Sequence, residues 1–343
     1  MSVTIKDVAK KANVSISTVS RVINNTQKVK DEHKNRVLDA IDELNYQPND
    51  IARSLVTKKS KLIAVIVSDI GRPYLAEILR GIEEVGKLYG YDILLFNTFE
   101  NIEEEKRYIK WLKSKQVDGV IIASDIYNQN HLDFLEIEEF PTRFISRTDY
   151  HNKFSNVKLP IEEAFKEGLD FLFSNDLKDI IYLGVDPEKK YYYENIKENV
   201  YKQYMVDNNL DSHTIYVSEL DYSTAYEVVN NMDFKGRKTI IASNDEFALA
   251  AMNALLDKGF KVPDDYNILG FGNITISTQV RPQLSTITYS FYDMGALTMG
   301  SLIKEIKNKD FCLQSSILDY NLIVRETIKT RRDFIGKDLD WRE

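Results

Sequence analysis

Apolar strands alternate with amphipathic helices over most of this chain, and that alternation restricts the fold more than any other feature. LIAVIV at 62–67 is an unbroken, largely β-branched run. A helical stretch follows from 73 to about 89, then DILLFNT (92–98), the helix IEEEKRYIKWLKSK (102–115), GVIIAS (119–124) and TRFIS (142–146). A second series opens near 162 with a helix over EEAFKEGLDFLF. It continues through DIIYLGV (179–185), a helix to about 206, TIYVS (214–218), a helix to 232, TIIASN (239–244), the helix DEFALAAMNALLDKG and YNILGFG (266–272). Apolar strands separated by helices give parallel sheets covered on both faces. Two series imply two doubly wound α/β lobes, with ligands expected at the carboxyl ends of the strands, in the crevice between the lobes.

Residues 1–60 have a different texture. They hold 11 Lys and Arg against 7 Asp and Glu, a balance of +4 in a chain of 343 residues whose net charge is −8, so the rest carries −12. A basic head on an acidic body suits a head that meets a polyanion. Thr4 can cap a helix whose apolar residues Ile5, Val8, Ala9 and Ala12 form one stripe. Asn13-Val14 turns the chain, Ser15 caps a second helix, and Val14 can staple onto Val19. Val19, Val22 and Ile23 then face inward, which turns Ile16, Ser17, Ser20, Arg21 and Asn24 outward. A third helix runs from about 31 to 44 with Val37, Leu38, Ile41 and Leu44 on one side. Three short helices with a tight first turn make a helix-turn-helix, whose second helix can enter the DNA major groove. Arg21 there could form the two-toothed bond to a guanine and Ile16 could pack on a thymine methyl. The same stripe is also what any solvated helix face looks like.

The segment YQPNDIARSLV (46–56) settles less by itself. After Pro48 and Asn49 only about seven helix-compatible residues remain, fewer than the ~12–15 an isolated helix needs in water, so this hinge should form only with support. Leu55 either wedges into a minor-groove step or packs on the domain that follows.

The order TIKDVAKKANVSISTVSRVIN, then LNYQPN, then IARSL resembles, through the whole head and at matching spacing, the lactose-repressor (LacI) family of bacterial transcription regulators. That resemblance implies that Ile16, Ser17 and Arg21 read bases, and that Thr4, Ser15, Thr18, Asn24, Lys28, Asn49 and Ala52 help to hold the DNA. It also implies that paired hinge helices insert Leu55 at the operator centre. The body resembles the family's periplasmic-binding-protein-like body as far as about 324, which implies three chain crossings between the lobes. The expected domains are a head at 1–47, a hinge and linker at 48–60, a first lobe at 61–161 and 290–322, and a second lobe at 162–289 and 323–343. The partners implied are double-stranded operator DNA, a second copy of the chain, since one head covers half of a palindromic site, and a small effector, a sugar or sugar phosphate. A tail at 329–343 without heptads gives no basis for a coiled-coil tetramer.

Carried over position by position, the family's cleft residues fall on Asp69, Tyr74, Ser146, Lys197, Asn244, Asp245 and Phe291, and Arg147 and Tyr193 complete the expected effector-binding set. Three positions depart from the family. Ser146 replaces a frequent aspartate, Lys197 a sugar-clasping arginine, and Gly272 the aspartate of a usual GFD. None can supply the bidentate grip on a diol that the replaced group gives. The run Tyr191-Tyr-Tyr193 could stack on a sugar ring or simply be surface aromatics. RPQLSTITYSFYDMG (281–295) also resembles the catabolite control protein of low-GC Gram-positive bacteria, which takes a serine-phosphorylated phosphocarrier protein as co-repressor. The arginine that would meet the phosphoserine is Gly300 here, although Lys304 matches a second basic site.

Other chemistry is easily set aside. The single cysteine, Cys312, allows no internal disulfide and fits a reducing compartment. No run reaches the ~18 apolar residues of a membrane span and no signal peptide is visible, so a cytoplasmic protein without membrane contact is expected. His33, His131, His151 and His213 lack metal-ligand spacing. Gly270-Phe-Gly272 lacks the third glycine of a dinucleotide fingerprint, and there is no P-loop. No enzyme activity, cofactor or metal is expected. The competing class is a solute-binding α/β protein whose basic head is incidental.

Overall fold

A computed structural model describes residues 3–24, 29–46, 59–123, 140–145, 156–189, 191–233, 236, 238–308 and 316–330. The chain forms two compact units, Met1–Lys61 and Leu62–Glu343.

The head is built from α1 (Ile5–Ala12), α2 (Ile16–Asn24) and α3 (Asp31–Leu44). The anticipated stripes meet in one core: Val8, Ala9 and Ala12 of α1, Val19 of α2, and Val37 and Ala40 of α3 are buried, with Tyr46 closing it. Leu38 departs from expectation and is 44% exposed. On a helix its side chain lies about 100° round from Val37, and the buried stripe runs through positions 37, 40, 41 and 44 instead. Thr4 starts α1 by donating both its backbone N–H (2.9 Å) and its hydroxyl (2.7 Å) to Asp7. Ser15 accepts the Thr18 N–H at 3.1 Å, the capping role expected of it. Asn13 takes the left-handed conformation (φ 50°) that the turn between α1 and α2 requires.

The turn is also tied to α3. Arg36 donates from Nη2 to the carbonyls of Ala12 and, at 3.0 Å, of Asn13. These are the free carbonyls at the end of α1, and a cation there is favoured by the helix dipole as well. Hydrogen bonds from a charged group contribute about 1.5–3 kcal/mol each. Arg36→Met, which keeps the packing of the stem, is expected to destabilise the head by roughly that amount for the pair. Amide hydrogen exchange at 12–15 in the full chain checks this: wild-type protection there in the variant would refute the role.

The body contains two six-stranded sheets. The first comprises β1 (Leu62–Val67), β2 (Asp92–Asn97), β3 (Gly119–Ala123), β4 (Thr142–Ile145), β5 (Asn156–Lys158) and, from much later in the chain, β11 (Ser316–Ile317), in the order β11-β5-β4-β3-β1-β2. The second comprises β6 (Ile180–Val185), β7 (Thr214–Val217), β8 (Thr239–Ala242), β9 (Asn267–Phe271), β10 (Ser285–Tyr289) and β12 (Tyr320–Ile323), in the order β12-β10-β9-β8-β6-β7. All pairings are parallel except β12 on β10. Every described residue of β3, β4, β6, β8, β9 and β10 is buried, as strands covered on both faces must be.

Helices cover the sheets. In the first lobe these are α4 (Pro73–Leu88), α5 (Ile102–Lys115) and α10 (Phe291–Lys307); in the second, α6 (Ile161–Ser174), α7 (Tyr192–Asp207), α8 (Tyr222–Asn230) and α9 (Asp245–Asp257). The last crossing comes earlier than expected. Residues 320–322, assigned above to the first lobe, pair with β10 in the second sheet. Only Leu318 and Asp319 separate β11 from β12, so the chain changes lobes through two residues, and edge strands of two and four residues carry too little periodicity to mark the place. No described helix is long and apolar enough to cross a membrane.

Candidate functional site

The outward face of α2 is the first candidate. Ile16 is 45% exposed, Ser17 and Arg21 are exposed, and Thr18 is half-buried against the core. Ser15 Oγ lies 2.7 Å from Ser17 Oγ and 2.8 Å from Thr18 Oγ1, so the three hydroxyls form one cluster at the start of the helix. Arg21 makes no ion pair with any described residue; Lys11 and Glu43 pair at 2.6 Å elsewhere on the surface of the head. A guanidinium left open beside hydroxyls and an apolar tip can meet a base edge and the phosphates flanking it. Lys28, Asn49, Ala52 and Leu55 lie outside the described residues, as does the side chain of Asn24.

The second candidate is a cavity of ≈ 130 Å³ between the lobes of the body. Its walls are where the strand ends place them: Arg72 to Leu75 follow β1, Ala123 ends β3, Ile145 ends β4, Ser243 to Glu246 follow β8, and Phe271 ends β9. This is the crevice at the carboxyl ends of two parallel sheets. Tyr74 and Phe291 face each other across the first lobe with ring centroids 5.5 Å apart. Leu75, Ile78, Leu159, Ile161 and Met294 make the lining largely apolar.

The expected effector residues divide into four groups. Tyr74, Tyr193, Asn244 and Phe291 line the cavity. Asn244 is also the N-cap of α9, accepting the Phe247 N–H at 2.8 Å. Lys197 and Asp245 line it too, but their polar atoms are spent on the protein. Lys197, 4% exposed, donates to Glu194 Oε1 and to the Ser243 carbonyl, both at 2.6 Å, with its ammonium 4.6 Å from the centre of the Phe271 ring. Asp245, 1% exposed, accepts from Thr286 Oγ1 (2.6 Å), Ser277 Oγ (2.7 Å) and the Ile274 N–H (3.0 Å). Burial raises the Asp245 carboxyl above its ordinary value, against the lowering effect of those bonds. Both residues therefore hold the wall together. Asp69 is not in the wall: its carboxylate accepts the Gly71 N–H at 3.0 Å and closes the turn that leads to Arg72. Ser146 and Arg147 lie outside the described residues.

Arg72, Glu194, Glu246 and Tyr289 are polar wall residues that were not anticipated. Arg72 donates to Glu100 Oε1 at 2.8 Å and to the Leu220 carbonyl. Burial works to lower its affinity for the proton, but the bond and charge of Glu100 outweigh that and hold the guanidinium above its ordinary value. Burial pushes the Glu246 carboxyl up, against the charge of Arg72. Glu194 Oε2 and the Tyr289 hydroxyl are buried with no hydrogen-bond partner among the described residues, and Tyr289 is only 3% exposed. Unpaired buried polar atoms are costly, so both are natural anchors for a ligand. Glu194 carried a signal, standing three residues before Lys197 on one helix. Arg72 carried none.

Residues 4–49 match the model for bacterial regulatory proteins of the lacI family, and residues 169–328 match that for a periplasmic binding protein-like domain. The HTH-type transcriptional regulator RegA of Clostridium acetobutylicum is 37% identical over 96% of this chain and 100% of its own length. The ribose operon repressor of Halalkalibacterium halodurans is 36% identical over 95% of this chain and 97% of its own. A crystal structure of the lac repressor dimer bound to operator and the anti-inducer ONPF superimposes with a TM-score of 0.84 at 23% identity, covering 95% of this chain and 99% of that one. The three-helix head with its open α2 face, the two parallel-sheet lobes and full-length relatives agree: the chain belongs to the lacI family of HTH-type bacterial transcription regulators.

Proposed function

We propose that the protein is a repressor of a carbohydrate-utilisation operon, binding a palindromic operator as a homodimer and responding to a small uncharged sugar in the interlobe cavity. The observation that carries the DNA half is the exposed face of α2, where Arg21 is left open beside the Ser15, Ser17 and Thr18 hydroxyls. Selection from a random duplex library with the full chain tests it. Enrichment of one two-fold symmetric sequence is expected, and no enrichment over the starting pool would sink the reading.

The effector class follows from charge. Among the described residues the two cations of the cavity wall are already engaged, Arg72 by Glu100 and Leu220 and Lys197 by Glu194 and Ser243. Glu194 and Glu246 add negative charge to the wall. A phosphate placed there would be desolvated without a compensating donor, at a cost far above that of an uncharged hydroxyl. An uncharged sugar instead lays its C–H faces on Tyr74 and Phe291 and donates a hydroxyl to Glu194 Oε2. The names of the ribose operon repressor and the lac repressor among its relatives support the same substrate range. A serine-phosphorylated carrier protein is less well served, because Gly300 on α10 offers no side chain to its phosphate.

Full-chain thermal shifts with neutral mono- and disaccharides and with their phosphates separate the classes. A ligand at a hundred times its Kd stabilises by about 2.7 kcal/mol. Stabilisation by a neutral sugar is expected; stabilisation by phosphorylated sugars alone would overturn the assignment. Coupling to the operator then needs about 1–3 kcal/mol between cavity and hinge, enough for a 5–150-fold change in affinity.

A further inference from the structure

The cavity rim carries a circuit of bonds that crosses from one lobe to the other and back. Tyr191, at the start of α7 in the second lobe, donates its hydroxyl to Glu100 Oε2 in the first at 2.6 Å. The other oxygen of Glu100 accepts from Arg72 Nη2 at 2.8 Å. Arg72 Nη1 then returns to the second lobe, donating to the Leu220 carbonyl. Arg72, Tyr191 and Leu220 all line the cavity, so the circuit is part of the wall that encloses a ligand. Each bond involves a charged donor or acceptor, the stronger kind of hydrogen bond. The Arg72 and Glu100 side chains are only 15% and 30% exposed, so water screens the pair less than an ordinary surface ion pair.

A second, independent feature shows that the backbone is bent to present Glu100. Phe99 and Glu100 are consecutive non-glycine residues in the left-handed region, with φ of 51° and 58°. Such residues are costly and persist only where the surroundings fix them. Here they are fixed: Thr98, fully buried, donates its hydroxyl to the carbonyls of Val67 (3.1 Å) and Ser68 (3.3 Å), and the Glu100 N–H reaches Ser68 O at 3.0 Å. Phe99 gains nothing in packing from this, being 74% exposed. The strained turn serves the carboxylate that follows it.

We propose that Arg72, Glu100, Tyr191 and the Leu220 carbonyl form a latch that holds the lobes closed without help from a ligand and must break for an effector to enter or leave. The latch regulates the cleft described above and rests on the effector reading only for its consequence at the operator. Its energetic meaning is a population shift: the effector works against, or with, a closed state already favoured by the chain's own bonds.

The test uses the full chain in a Cys312→Ser background with nitroxides at Lys110→Cys on α5 and Glu227→Cys on α8, diluted with unlabelled protein. Interlobe distances are read by pulsed electron–electron double resonance with no ligand added. The parent should give one narrow distribution. Tyr191→Phe, which removes one oxygen, should broaden it or move it to longer distance, and Arg72→Met, which cuts two bonds, should do so further. A parent that is already broad, or a Tyr191→Phe distribution that overlays the parent, would overturn the latch. Should Arg72→Met fail to fold, Tyr191→Phe decides alone. The distance does not depend on DNA or on a sugar, so failure here leaves the proposed function to its own tests.

Discussion

Arg21→Ala is expected to weaken operator binding by about 1–3 kcal/mol at each half-site, the worth of one bidentate arginine–guanine pair. In a two-fold complex both half-sites lose it, so the affinity should fall by roughly 30-fold to 10⁴-fold, taking 1.4 kcal/mol as a factor of ten. The side chain is open on the outer face of α2 and pairs with no acid among the described residues, so its removal should leave the fold intact. Fluorescence anisotropy on the selected operator, at fixed salt, measures the effect. Arg21→Lys keeps the charge and loses the planar fork, so it should recover affinity for any duplex while failing to recover discrimination at the read base pair. Equal losses on operator and on scrambled duplex would mean that Arg21 touches phosphate only.

How far the sequence reveals this protein depends on how local each feature is. β1 and β3 are long apolar runs whose burial follows from their composition alone, and α1 to α3 follow from stripes and caps within eight to fourteen residues. β5 and β11, of three and two residues, have no pattern to read, because they are defined by a partner far away in the chain. The cavity divides in the same way. Tyr74 and Phe291 are placed at the cleft by the family resemblance, and the fold keeps them there because each presents a ring just after a strand or at a helix start. Lys197 and Asp245 were expected at a ligand, yet beyond the local Glu194 their partners, Ser243 for one and Thr286, Ser277 and Ile274 for the other, come together only once the second lobe has folded. Asp69 and Arg72 exchange roles for a similar reason: the shorter side chain closes its own turn and the longer one reaches the rim.

The second large effect concerns the contact between α4 and α10, which begin beside Tyr74 and at Phe291 and so carry the aromatic wall of the cavity. Each helix places a glycine against the backbone of the other. A Cβ on Gly295 would stand 2.0 Å from the Ile78 carbonyl oxygen, and one on Gly81 would stand 2.1 Å from that of Tyr292. Two opposing contributions decide the outcome of Gly295→Ala. Helix propensity favours alanine by up to about 1 kcal/mol, whereas overpacking costs typically 1–3 kcal/mol and sometimes more. Here the obstacle is a main-chain carbonyl, which can yield only if the helices part, so the cost should lie at or above the top of that range. A net loss of about 2–3 kcal/mol follows, or a fall in Tm of roughly 5–10 °C for a body of this size. Gly300 lies on the same helix with nothing within 4 Å of its Cβ position. Gly300→Ala should therefore raise Tm slightly, by the propensity gain of up to about 1 kcal/mol. Calorimetry on the two variants settles the matter: opposite signs are required, and a common sign would mean that backbone contact does not govern this helix pair. Because parting α4 from α10 also separates Tyr74 from Phe291, Gly295→Ala should lose its response to any sugar that stabilises the parent, while Gly300→Ala keeps it.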